Sequence, residues 1–420
     1  MSTEPSILAL VGVRVWDGNA SATSREPQTI RIEGSRITAI GTEPALARGA
    51  HVINAAPDSV ALPGLIDAHV HISLNSALPD WRSQLAIPRD RLVVEMEQRA
   101  EAMLRAGITT ARDCGGGGWL EVGLRDRIAR GEIQGPRLLC TGQPITTPRG
   151  HCWFWGGTAS SPDEIDSVVQ RQCAHEVDWI KVMATGGLYT KETHIEDAQF
   201  REAELRAVVE GARSRGRLVA AHCHGTAGIE HAVAAGVRTL EHCSFAGSQG
   251  MGTAPDPKLA ERIAAQQMWV SPNVSTSWAR RAEVDDSDFF RNMREVFRML
   301  RGAGVKLIAS TDAGMPRVSH TDLPRALAIF ARFAELSPVE VLRAATSEAA
   351  RALGIGHETG SLQPLSTADI LVVDGDPLRD LEALTRPRLV IARGAPVRQA
   401  ANRNSGGGSG AARTLRVGRR

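Results

Sequence analysis

The chain has 420 residues, 42% hydrophobic and 23% charged, with a formal net charge of +2. That balance excludes a mainly disordered chain, argues against a nucleic-acid partner, and leaves no apolar run near the ~20 residues a membrane helix needs. The start, Met1 to Pro5, lacks a secretory signal pattern, and six cysteines without C-x-x-C spacing read as reduced thiols, so a cytoplasmic location is expected.

The first stretch reads as short β structure. Ile7 to Val15 is apolar, Asp17-Gly18 marks a turn, Thr29 to Ile32 alternates before Glu33-Gly34, and Ile37 to Ile40 follows. From about residue 60 the pattern changes to β-rich runs alternating with helical stretches. Eight runs are legible: 61–72, 108–114, 137–145, 179–185, 218–222, 237–243, 268–274 and 305–311. Amphipathic helices are expected over 91–106, 164–176, 202–215, 256–267 and 287–302. Glycines at 107, 216, 236 and 304 stand where a helix would stop. Eight strands alternating with helices is the count of a TIM (β/α)8 barrel. A doubly wound open sheet is the rival, but it does not need eight units.

After a helical stretch over 338–353, β structure returns at Ala368 to Asp374 and Arg388 to Ala392 around a Gly375-Asp376-Pro377 turn. The expected fold is therefore α/β. A barrel occupies 61–358, and a small β-sandwich domain is built from both chain termini, 1–60 and 359–400. Residues 401–420, with Ser405 to Gly410 and scattered arginines, read as a flexible tail.

Polar residues gather at the C-terminal ends of the strand-like runs, the face where TIM-barrel active sites lie. The first run ends Asp67-Ala68-His69-Val70-His71, and strand alternation points both histidines the same way. Lys181 lies in the fourth run. His222 ends the fifth, His242 the sixth and Asp312 follows the eighth. Neutral imidazoles and a carboxylate suit zinc and its neighbours. Lysine occurs only at positions 181, 191, 258 and 306, so 49 − 4 = 45 of the Lys and Arg residues are arginine. A lysine inside an apolar strand of such a chain needs its own chemistry. Carboxylated by CO₂, it becomes an anionic carbamate able to bridge two metals, which arginine cannot do.

These six positions resemble the binuclear amidohydrolase superfamily. The stretches Val60 to His71, Lys181 to Gly187, Glu241-His242 and Ser310 to Gly314 look like its imidazolonepropionase-related and prolidase-like branch. The terminal Ala368-Asp369-Ile370 and Asp374 to Pro377 segment resembles that family's small β domain. The likeness covers about residues 8–397 and implies a distorted barrel. It also implies two divalent ions, Zn²⁺ first among them. His69, His71 and Asp312 would hold one ion, His222 and His242 the other, and carboxylated Lys181 both. A bridging hydroxide would be the nucleophile, with Asp312 as general acid and base.

His151, in a Gly-His pair where prolidase-like relatives carry one, is expected to donate to the developing oxyanion and to contact substrate. Trp153, Phe154 and Trp155 follow it. Aromatics are only 4% of the chain, so this run predicts a wall for a bulky apolar or aromatic group, with Trp153 and Trp155 contacting substrate. Tyr189, the only tyrosine, is expected to orient the substrate, and Arg317 and His320 to contact a substrate carboxylate or carbonyl. His224, read as lying past its strand end, is expected to pack in a loop. Glu241 is expected to support the site from behind, and Cys223 and Cys243 to pack there.

The expected activity is metal-dependent hydrolysis of an amide-type bond in a small molecule. A cyclic amide, carbamate or lactone hydrolase would use the same site. A deaminase would typically carry an acid shortly after His222, where Cys223, His224, Gly225 and Thr226 stand. A non-catalytic scaffold should have lost ligands, yet all six are present. A membrane or nucleic-acid partner is not expected, and relatives often assemble, which leaves room for a homo-oligomer.

Overall fold

The computed structural model describes residues 7–116, 118–282 and 288–398; the expected tail, 401–420, lies outside them. Strands from both ends of the chain build one sheet. It contains β1 (Ile7–Val15), β2 (Gln28–Glu33), β3 (Arg36–Gly41), β4 (His51–Asn54) and β5 (Ser59–Pro63). The next eight strands are parallel: β6 (Leu65–Val70), β7 (Ile108–Asp113), β8 (Arg137–Cys140), β9 (Trp179–Met183), β10 (Leu218–Gly225), β11 (Thr239–Ala246), β12 (Trp269–Ser271) and β13 (Lys306–Leu307). The last three, β14 (Ile370–Asp374), β15 (Pro387–Ala392) and β16 (Ala395–Pro396), return to the first sheet.

That terminal sheet runs β16-β15-β14-β5-β1-β2-β3, with β4 beside β1. β1 carries a bulge between Val11 and Val13, pairing with β2 and β4 before it and with β5 after it. Its apolar side chains, among them Leu10, Val13, Ile30, Ile32, Ile370 and Ile391, form a core of their own. By its hydrogen bonding the expected sandwich is one continuous sheet, with a register shift in β1.

The parallel strands fall into two sheets, β6-β7-β8 and β9 to β13. Backbone bonds join them at both edges. Ile145 N donates to Lys181 O (2.8 Å) and Met183 N to Ile145 O (2.8 Å) on one side. Asp312 N donates to His69 O (2.9 Å) and His71 N to Ala313 O (2.7 Å) on the other. The helices Arg89–Arg105, Pro162–Ala174, Glu202–Ser214, Pro257–Ala265 and Asp288–Gly302 fall within two residues of expectation at every end. Two begin at a side-chain cap followed by proline: Ser161 accepts from Glu164 N, and Asp256 from Leu259 N. The apolar faces of these helices join the strands' outer faces in one large core.

The expected first run, 61–72, divides at Gly64. Residues 59–63 pair with β14 and β1, and only β6 enters the parallel sheet. A Cβ at Gly64 would stand 2.1 Å from Thr109 Oγ1, so only glycine lets the chain cross this junction against β7.

Candidate metal centre

Strand ends carry the site. His69 is in β6 and His71 just beyond it, and they are 1% and 3% exposed. Lys181 is the central residue of β9 and is 1% exposed. His222 and His224 lie in β10, and His242 in β11. Asp312 follows β13. Non-glycine backbone turns left-handed at His242 (φ 66°) inside β11, at Asn273 (φ 56°) two residues past β12, and at Asp312 (φ 63°) beyond β13. Such conformations cost energy and gather where a side chain must be aimed.

Three groups of potential ligand atoms result, each within 4.8 Å of one another: His69–His71–Asp312 and His222–His224–His242, which line one cavity, and His69–Cys114–Glu241. Asp312 Oδ1 sits 3.3 Å from His69 Nε2 and 3.2 Å from His71 Nε2, yet this buried oxygen makes no hydrogen bond. Three electron-pair donors aimed at one point, without a proton between them, suit a cation. Lys181 Nζ is 3.5 Å from His69 Nε2. The donor set therefore fits divalent ions of the zinc type.

The surroundings fix which ring nitrogen faces the cavity. His69 Nδ1 donates to Glu241 Oε2 (2.7 Å), and His71 Nδ1 to the Gly115 carbonyl. Both rings thereby present Nε2. Glu241 also accepts from Arg112 Nη2 (2.6 Å) and Thr239 Oγ1 (2.5 Å). Glu241 and Arg112 are wholly buried, and Arg112 lies over the Trp179 ring at 4.7 Å. His69 Nδ1 is already a donor, so the Asn273 amide, 3.2 Å from His242 Nδ1, is free to bond His242. In β10, His222 Nε2 lies 3.0 Å from the Gly186 carbonyl, and His224 Nδ1 lies 2.8 Å from Ser244 Oγ.

Burial, and then Lys181, pull His69 down to about 4. Burial first, then neighbouring imidazoles, holds His222 and His242 well below the usual histidine range. Burial also lowers His224 to about 4. At neutral pH these rings are uncharged, the form a metal needs. Burial pushes Asp312 up, but His69 and His71 outweigh it and hold the carboxyl at about 2. Burial disfavours the Glu241 carboxylate, but Arg112 and His69 prevail and keep it ionised. Asp67 accepts from Thr311 Oγ1 (2.6 Å) and Thr311 N (3.1 Å), which ties the first ligand strand to the segment before Asp312.

All six expected ligands line one cavity of about 320 Å³. His151 lines it too, its ring centroid 4.5 Å from that of His222. Its Nδ1 has no partner, and burial, then His224, lowers it to about 3. A Cβ at Gly187 would come within 2.5 Å of the His151 ring, so this glycine lets the loop after β9 close on it. Trp155 and Tyr189 are also on the wall. The Trp155 ring lies 5.4 Å from His71, and a second cavity of about 400 Å³ lies behind Trp155 and Phe154.

Three expected substrate contacts do not line the metal cavity. Trp153 is 38% exposed and packs edge-on against Trp81, because the 3-10 turn Trp153–Trp155 splits the aromatics between two sides. Arg317 is exposed, its backbone N–H bonded to Ser76 O. His320 is buried behind the site, with Nε2 3.0 Å from the His71 carbonyl. His224 corrects another expectation. β10 runs on to Gly225, so alternation keeps His224 on the face of His222, in the ligand group rather than a packing loop. Sequence reasoning missed Asn273, and the cavity-lining Met183, Met251 and Trp278, altogether.

The sequence matches the family described as "Amidohydrolase family" over residues 60–397. The chain belongs to the amidohydrolase family. It is a hydrolase acting on carbon–nitrogen bonds. Among this amidohydrolase's relatives, ochratoxinase of Aspergillus niger is 27% identical over 366 residues, covering 79% of this chain and 73% of the relative. Imidazolonepropionase of Chloroflexus aggregans is 28% identical over 390 residues, covering 83% and 85%. A solved Xaa-Pro dipeptidase with bound methionine shares the fold at a TM-score of 0.81 and 24% identity, covering 93% of this amidohydrolase and 99% of that chain. Among the described residues no helix is long and apolar enough to cross a membrane.

Proposed function

We propose that this amidohydrolase is a binuclear metal enzyme that cleaves a peptide-like or N-acyl amide bond in a small molecule bearing a bulky apolar or aromatic group. The carrying observation is the buried Lys181, 3.5 Å from His69 Nε2, lining one cavity with both ligand groups. His69, His71 and Asp312 would hold one ion and His222 and His242 the other, and Lys181, once carboxylated, would supply an anionic oxygen ligand to both. When bound, divalent ions such as Zn²⁺ lower the pKa of water to about 7 and polarise a carbonyl oxygen.

The chain's own residues do the rest. Trp155 and Met183 give the substrate's apolar group a wall. His151, neutral and with an unpartnered nitrogen, bonds the carbonyl oxygen as charge develops on it. Asp312, ionised, takes the proton of the attacking water at Oδ2, the oxygen not turned to His69 and His71, and delivers it to the leaving nitrogen, so that amide and water become acid and amine. The two parallel sheets, joined at both edges, support reading 64–358 as a distorted (β/α)8 barrel, with 7–63 and 359–398 as the small domain.

Elemental analysis of protein grown with zinc and bicarbonate tests this. About two metals per chain, with a clear loss in Lys181→Ala, is the expected result. About one metal, indifferent to Lys181, overturns the bridged centre.

A further inference from the structure

The metal cavity opens at the C-terminal ends of the parallel strands. A separate cleft of about 240 Å³ lies at their N-terminal ends. Arg217 stands immediately before β10 and Arg238 immediately before β11. These strands pair in parallel with Ala220 opposite Thr239, and Arg238 N donates to Val219 O at 2.9 Å, so the two arginines begin neighbouring strands. Arg213, in the last turn of the helix Glu202–Ser214, is the third cation of the cleft, and Gln266 and Gln267 complete its polar lining.

Three cations meet here without a counter-charge. Among the described residues no acid lines the cleft, and the side chains of Arg213 and Arg217 make no hydrogen bond or ion pair. Arg217 Nε is buried with no partner. Arg238 bonds only the carbonyls of Ala352 and Arg351, 3.3 Å from Nε and 3.2 Å from Nη2, and lies over the Trp269 ring at 4.1 Å. Burial lowers its pKa, with no carboxylate opposing it. Arg215, between the other two in the chain, is paired with Asp166 at 2.8 Å. The nearby carbonyl end of the helix Glu202–Ser214 favours cations, which accounts for a basic lining but leaves the Arg217 donor unsatisfied.

We propose that this cleft is a phosphate-binding site, in which Arg213, Arg217 and Arg238 hold a tetrahedral dianion at the end of the barrel strands remote from the metal cavity. Guanidinium forks match phosphate oxygens two at a time. Three forks arriving from a helix end and two strand ends cannot share the single edge of a planar carboxylate, whereas a phosphate presents strong acceptor oxygens on several sides. The ligand is free inorganic phosphate or the phosphate group of a larger molecule, such as a nucleotide, whose remainder lies outside the cleft.

The test is calorimetric titration of metal-loaded protein with inorganic phosphate and with adenosine monophosphate, at about 0.15 M sodium chloride, where long-range attraction is screened. Wild type is compared with Arg217→Gln, Arg217→Lys, the exposed Arg213→Gln, and a control, Arg91→Gln, whose side chain is 70% exposed and pairs with Glu95. Wild type is expected to show one saturable site. Losing a charge-assisted hydrogen bond is worth roughly 10- to 100-fold in affinity. Arg217→Gln and Arg213→Gln should each weaken binding by that factor, Arg217→Lys should recover part of the loss, and Arg91→Gln should change nothing. The rise in Tm that phosphate gives the wild type should shrink in the cleft variants alone. Binding of both compounds assigns the site to the phosphate group, and binding of phosphate alone assigns it to the free ion; either supports the proposal. No saturable binding, binding of the nucleotide alone, or equal weakening by Arg91→Gln refutes it. So does binding that survives the cleft variants and disappears in Lys181→Ala, which would put the anion in the metal cavity.

Discussion

Glu241 accepts the Nδ1 proton of His69 across 2.7 Å, and that bond decides that Nε2 is the nitrogen offered to the cavity. Arg112, just as buried, neutralises the carboxylate from behind. Glu241→Gln keeps the shape but removes the charge. It is expected to weaken metal retention by about 10- to 100-fold, measured by competition with a chromogenic chelator. Glu241→Ala, which strands the Arg112 charge, should lose about 3–5 kcal/mol of stability as well, read by denaturant titration.

Asp312 Oδ1 is the unpartnered oxygen between two histidines. Asp312→Asn is expected to lower kcat by about 10²- to 10⁴-fold with a smaller change in KM. The check is steady-state kinetics at matched metal content, and a variant retaining full turnover would remove Asp312 from proton transfer.

Trp155 is 3% exposed and separates the metal cavity from the one behind it. Trp155→Ala should cost about 3–5 kcal/mol and raise KM for substrates with a bulky apolar group more than for small ones. Trp153→Ala, at the surface against Trp81, should leave kcat/KM unchanged. Thermal melts and a two-substrate comparison separate these outcomes.

Glu121 is wholly buried with both carboxyl oxygens unpartnered. Burial, and then Asp113, raises it from 4.5 to about 8. Between those values the folded chain holds a proton that the unfolded chain has released, so stability falls as pH rises through the window. Glu121→Gln removes this term. The variant should gain on the wild type in urea midpoints between pH 5 and pH 8, with the largest difference at pH 8. Parallel midpoints would mean that Glu121 does not carry the slope.

The strand-end ligands were legible because each strand brings its residues to the same face by simple alternation. His69 and His71 follow that rule, and so does His224 once β10 is given its full length. The sequence run had been ended at His222, where Cys223 and the approaching Gly225 looked like a turn. Asn273 had no such signal. Its strand is only Trp269–Ser271, and the left-handed backbone that aims its amide at His242 is imposed by tertiary contacts. Trp153 and Trp155 are two apart in the chain, yet a single 3-10 turn sends one to the surface and the other to the cavity. Nearness to Asp312 was the only signal for Arg317 and His320, and the turn after it carries one outward and the other beneath His71. The Gly64 division was hidden inside an unbroken apolar run, because β5 and β6 are both fully buried and hydrophobicity cannot tell one core from another.

That division has a consequence for how the protein is born. β5 leads through Gly64 straight into the strand bearing His69, and β5 is flanked by β14, with Pro63 opposite Ile370 and Ser59 opposite Asp374. Gly64 N–H is held by the Asp369 carbonyl at 2.9 Å, and the Asp369 side chain is held by Arg137 at 2.9 Å. The first ligand strand emerges early from the ribosome but is anchored by almost the last strand to be made. Nascent chains stalled before residue 370 should therefore leave the first pair of histidines without their final mooring, so that metal loading follows release of the finished chain instead of accompanying its synthesis.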